Sequence, residues 1–150
     1  MVALPFWKMT VIHWIPLTTI VLDETSSIGL NIKKKRLELK LRQEDVAQIL
    51  HTTDDSVRFW ETGRTQPQMQ VVPRIIKFLG YNPFKVETKT LAGRVKNYRL
   101  LNGLNHEKMA KLLGVDPATV STWETGKFKP DWQNLNRLNE MLSKQPQELF

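Results

Sequence analysis

Apolar residues recur along most of this chain at spacings of three and four, the signature of helices that bury one face. In residues 41–63, Val46, Ala47, Ile49 and Leu50 share a face of one short helix. A polar break follows, and Val57 and Trp60 turn a second helix back toward the first. Ala47 is small where the two helices would cross, Thr53 is placed to cap the second, and Gly63 is free to end it. Upstream, the spacing predicts a helix over residues 28–39 capped by Ser27. Ile28, Ile32 and Leu39 face inward there, and Lys33, Lys34 and Lys35 face solvent. Downstream, after the polar loop Arg64-Thr65-Gln66-Pro67, a helix over 71–79 carries Pro73 in its first turn, where proline is tolerated, and stops at Gly80.

The same pattern returns 63 residues later without a gap, over residues 104–126. Leu41/Leu104, Glu44/Glu107, Ala47/Ala110, Leu50/Leu113, Val57/Val120 and the run Trp60-Glu61-Thr62-Gly63/Trp123-Glu124-Thr125-Gly126 are identical pairs. Identity extends outward through Lys33/Lys96, Arg36/Arg99, Leu37/Leu100, Pro67/Pro130, Arg74/Arg137, Leu79/Leu142 and Pro83/Pro146. The chain is a tandem duplication, each copy built on a helix-turn-helix. Equivalent helices fall at 91–101, capped by Thr90, and at 132–142, where Leu135, Leu138, Met141 and Leu142 are apolar. The tail over 146–150 adds one turn at most. No strand pattern of strength follows residue 25, so the fold class is all-α with an irregular or β-prone N-terminal arm.

Length alone would suggest one domain in 150 residues. The repeat overrides that prior and predicts an arm over 1–25, a first domain over 26–82, a linker over 83–89 marked by Asn82-Pro83, and a second domain over 90–150. Each unit is small enough to be marginal alone. The arm is apolar and aromatic but lacks a basic start and a small-residue cleavage site, and Pro5 and Pro16 interrupt it. Its uncharged run over 9–22 is shorter than the about 20 residues a spanning helix needs, so no membrane role is expected. The net charge is +7. Both repeats contribute to it, with ten basic and six acidic residues over 27–83, nine and six over 90–150. That balance favours a polyanion as partner. There is no cysteine, and His13, His51 and His106 are scattered, so no metal site and no cofactor is expected.

Arg36, then Leu41-x-Gln43-Glu44-x-Val46-Ala47, then Val57-x-x-Trp60-Glu61-x-Gly63 and Pro67 resemble the phage lambda Cro/repressor-like, or XRE, helix-turn-helix family. Leu113-Gly114-Val115 and residues 120–126 resemble it as closely, and the two copies cover about four fifths of the chain. The resemblance implies five short helices per unit, the third lying in the major groove. It places Asp54, Asp55, Arg58 and Phe59 toward bases in the first copy, and Pro117, Ala118, Ser121 and Thr122 in the second. Arg42, Gln43, Thr62 and Arg64, and then Asn105, His106, Thr125 and Lys127, fall at phosphate-facing places. It also pairs Glu61 with Arg36 and Glu124 with Arg99 as structural ion pairs. The implied partner is double-stranded DNA, with a homodimer or a protein partner as further options, in a cytoplasmic, nucleoid-associated setting.

The residues weigh this further. Trp60 and Trp123 turn inward with Val57 and Val120 and belong to the core. No second carboxylate, nucleophile or glycine-rich phosphate loop accompanies either glutamate, so no enzyme is expected. The two tips differ. Asp54 and Asp55 bring two carboxylates toward phosphates, a repulsion that Arg58 partly offsets while reaching toward a guanine edge or a phosphate. Ala118 and Thr122 suit thymine methyls, Thr119 and Ser121 can donate, and Lys127 and Lys129 flank them. The reading is a sequence-specific DNA-binding transcriptional regulator, with the second copy reading more strongly. The alternative is a protein-binding adaptor or antitoxin-like partner that uses the acidic tip and the arm as contact surfaces.

Overall fold

The computed structural model describes residues 27–144, and among these it is all helical. The arm over 1–25 and the tail turn over 146–150 lie outside the described residues. The first repeat contains α1 (Ile28–Glu38), α2 (Gln43–Leu50), α3 (Asp54–Glu61) and α4 (Val72–Leu79), the last entered through a 3₁₀ turn at Met69–Val71. The second contains α5 (Leu91–Leu101), α6 (His106–Leu113), α7 (Pro117–Glu124) and α8 (Trp132–Ser143). Each repeat thus shows four described helices where the resemblance implies five. After Gly80 the first copy forms no further helix before Thr90.

Local chemistry sets these ends. The side chains of Ser27, Thr53, Thr90, Asn105, Asp116 and Asp131 each accept a backbone N–H at the start of a helix. At the other end of α2 and α6, an arginine from the last helix takes the orphan carbonyl. Arg74 Nη1 donates to Leu50 O at 2.8 Å, and Arg137 Nη1 to Leu113 O at 3.1 Å. That shared role accounts for the identity of the two arginines.

The cores repeat as the sequence does. Ile32, Val46, Ala47, Leu50, Val57, Trp60, Ile75 and Leu79 pack together in the first copy. Val95, Met109, Ala110, Leu113, Val120, Trp123 and Leu138 do so in the second. Gly29 lets α1 lie on the end of α3, since a Cβ there would stand 1.7 Å from the Trp60 carbonyl oxygen. Two sequence assignments need correction. Ile49 is 48% exposed and Leu39 is 49% exposed. Each sits at the edge of its helical stripe, where no other described element covers it.

A third cluster joins the copies. Val72 and Ile76 of α4 are buried against Leu100 of α5, with Met69, Leu101 and the linker residues Phe84 and Val86 packed around them. Asn82 Nδ2 donates to Asn97 Oδ1 at 2.9 Å beside it. The two repeats therefore share a small apolar seam through α4 and α5. Among the described residues no helix is long and apolar enough to cross a membrane.

Candidate nucleic-acid interface

Helix α3 is held from behind. Val57 is fully buried and Trp60 nearly so, packed with α1 and α2. Its opposite side carries Asp54, Asp55 and Arg58 exposed and Phe59 half-buried. Helix α7 repeats this, with Val120 and Trp123 buried, Ala118 and Ser121 exposed, and Pro117 and Thr122 half-buried. No other described element covers either front.

The glutamates that follow the tryptophans anchor the base of each unit. Arg36 donates to Glu61 through Nε and Nη2 at 2.7 and 2.9 Å, and its Nη1 donates to Leu41 O at 3.1 Å. Arg99 engages Glu124 at 2.6 and 2.8 Å and Leu104 O at 3.3 Å. These bidentate pairs tie the first helix of each repeat to the end of its third, and the same arginines bond the residue two before the start of the second. Gln43 Nε2 donates to Glu61 Oε2 at 2.9 Å, and His106 Nε2 lies 3.3 Å from Glu124 Oε2. Both of these phosphate-facing candidates are thus positioned by the buried glutamate next to them.

The other rim residues divide by what already holds them. Arg42 is exposed but sits among acids, 3.2 Å from Glu44 and 3.7 Å from Asp45. Thr62 and Thr125 donate their hydroxyls to Arg58 O at 2.8 Å and Ser121 O at 3.1 Å, which closes the last turns of α3 and α7. Asn105 caps α6 through Lys108 N at 2.8 Å. The Arg64 and Lys127 backbone N–H groups bond to Phe59 O and Thr122 O, so both cations follow directly on the last turn of their helix.

Aromatic rings join this rim. Two guanidinium groups lie over the Phe59 ring, Arg58 at 5.3 Å and Arg64 at 5.7 Å from its centroid. In the second repeat Thr122 replaces that ring on the helix, and Phe128 supplies one in the loop with Lys127 Nζ 5.8 Å from its centroid. Phe128 is 62% and Trp132 75% exposed. Sequence reasoning passed over both, although two large aromatics beside Lys127 and Lys129 at the end of a helix-turn-helix were visible in the repeat. No group of acidic or histidine side chains able to hold a metal ion occurs among the described residues.

A family model described as helix-turn-helix matches residues 32–86 and again residues 95–149. Among curated proteins, the type II methyltransferase M1.ScrFI of Lactococcus lactis subsp. cremoris is 32% identical over 72 residues. That match takes in 46% of this chain and 18% of the methyltransferase, so the chain spans less than a fifth of that relative's length. No solved structure matches the chain.

Proposed function

The chain belongs to the Cro/repressor-like (XRE) helix-turn-helix family in two tandem copies, and from that premise we propose that it is a transcriptional regulator that reads duplex DNA sequence-specifically in the major groove. Family membership supports DNA binding as such. The reading of sequence by α3, by α7 or by both is the further step.

One observation carries it. Both recognition helices bury their backs in a core and leave their fronts open, each followed by a cation whose backbone is tied to the helix's last turn, Arg64 after α3 and Lys127 after α7. A groove-binding helix needs that division, because phosphate contacts fix its register while front side chains meet base edges. The apolar seam between α4 and α5 lets both units engage one duplex as a connected pair. Contact with half-sites about one helical turn, or ~34 Å, apart is the spacing such pairs use.

Titration of the protein against a random duplex at increasing salt tests the premise. Affinity should fall linearly on a logarithmic plot, with a slope that counts the phosphates neutralised. A flat response removes the DNA reading. The exposed Phe128 and Trp132 favour a second reading, a protein partner; a stoichiometric protein that copurifies while no duplex is retained would decide for it.

A further inference from the structure

Resting on the reading that α3 faces a major groove, we infer that Asp55 and Arg58 form a preset guanine-binding pair. Repeat one is then the part of the chain that selects a G·C base pair. Arg58 Nη2 donates to Asp55 Oδ1 at 2.6 Å, one helical turn back on the exposed front. The guanidinium also lies over the Phe59 ring. A side chain that would otherwise sample many rotamers is held at one edge by a carboxylate and on one plane by an aromatic face.

What remains free defines the ligand. A guanidinium has five N–H donors in a rigid fork, and the Asp55 contact engages one terminal nitrogen. The remaining donors can meet two acceptors side by side. In the major groove guanine alone offers that, through O6 and N7. Adenine sets a donor beside its N7, thymine a methyl beside its O4, and cytosine presents a donor. Asp55 can in addition accept from N4 of a cytosine in a neighbouring pair. Its charge therefore serves base selection even though it opposes the phosphates.

The second repeat has nothing of the kind. Ala118 and Ser121 stand at the places of Asp55 and Arg58. Guanine selection is thus assigned to one half of the chain, and thymine-methyl contact to the other.

Arg58 and Asp55 are 56% and 62% exposed at their side chains, and an exposed pair contributes little to stability. Substitution there leaves the fold in place, which makes the test clean. The full chain is used to select duplexes from a random pool, and the selected site is then varied one base pair at a time at fixed salt. The wild type should show one guanine whose replacement weakens binding about tenfold or more. Arg58→Ala should lose that guanine from its selected sites and keep the rest of the site. Asp55→Ala, which removes the acceptor that holds Arg58, should lower discrimination at that guanine. An Arg58→Ala profile identical to the wild type overturns the assignment. So does Asp55→Ala with undiminished discrimination, because Arg58 would then need no positioning by Asp55. If the wild type retains duplex with normal salt dependence but enriches no guanine, the pair is refuted and the DNA reading stands. If it retains no duplex, both fall.

Discussion

Arg36 and Glu61, 25 residues apart, meet in a bidentate pair whose carboxylate side chain is 2% exposed. Burial pushes the Glu61 carboxyl up, but hydrogen bonds from Arg36 and Gln43 and the charges of Arg36 and Lys33 outweigh it. Its pKa lies below the usual carboxylate value in consequence. For a depressed carboxylate, the stabilisation is complete above the unfolded-state pKa of about 4.3 and is lost as pH falls through the lower folded value. Urea midpoints of the wild type should therefore fall between about pH 5 and pH 3 more steeply than those of Glu61→Gln. At neutral pH, Arg36→Ala should cost about 3 kcal/mol, because it strands a buried carboxylate. Equal acid slopes for wild type and Glu61→Gln would show that the pair carries no pH dependence.

The turns of the two repeats are not equally well made. Among the described residues, Lys40 and His51 are the non-glycine residues with positive φ, at 55° and 51°. The residues 63 positions on are Gly103 and Gly114, at 63° and 69°. A side chain in the left-handed region costs about 1–2 kcal/mol, which glycine avoids. Lys40→Gly and His51→Gly should each raise the melting free energy by up to about 1 kcal/mol, since glycine also gains freedom in the unfolded chain. Thermal unfolding of each variant checks this. A loss of stability in both would mean that these side chains make contacts worth more than the backbone strain.

Much of this fold was legible from apolar spacing and caps. Helix α5 falls where Thr90 and the run to Leu101 put it, and α3 begins directly after its cap Thr53. Spacing fails where only tertiary contact decides. Ile49 and Leu39 have the right period and no neighbour, whereas Asn31 breaks the apolar pattern and is buried. The left-handed turns at Lys40 and His51 were hidden by their residue types, although the glycines opposite them in the other repeat were a signal. At the candidate site, the Asp55–Arg58 pair follows from its i,i+3 spacing on a helix. The bonds of Gln43 and His106 to the buried glutamates, and the capping of Leu50 and Leu113 by arginines, join distant positions that no local pattern relates.

The seam between repeats was invisible for a related reason. Val72, Ile76 and Leu100 lie on helices whose apolar faces were already assigned to their own units. At the place of Ile76 the second repeat carries Asn139, which is exposed. Ile76→Asn should therefore leave each unit foldable while the seam opens. Removing a buried aliphatic side chain costs about 2–5 kcal/mol. Calorimetry should show one cooperative transition in the wild type and two separated transitions in Ile76→Asn. A single transition in both would mean that α4 and α5 are not coupled through this cluster.

Thr122 tests the proposed reading by α7 apart from that by α3. Its hydroxyl donates to Thr119 O at 2.8 Å, so the group left to meet a base edge is its methyl. Thr122→Val keeps that methyl and the side-chain shape, and gives up a bond that Thr119 O, as a helical carbonyl, can lose at small cost. Thr122→Glu sets a carboxylate beside the groove within reach of Lys127 and the phosphates. If α7 reads thymine, Val should hold affinity for a selected site within a few-fold, and Glu should lower it by about tenfold or more. Both variants keep Val120 and Trp123 in the core, so their melting temperatures should stay near the wild type's. Competition titrations against the selected duplex and a random one separate loss of reading from loss of phosphate contact. A Glu variant that binds the selected duplex as tightly as the wild type would place the base-reading surface elsewhere on the chain.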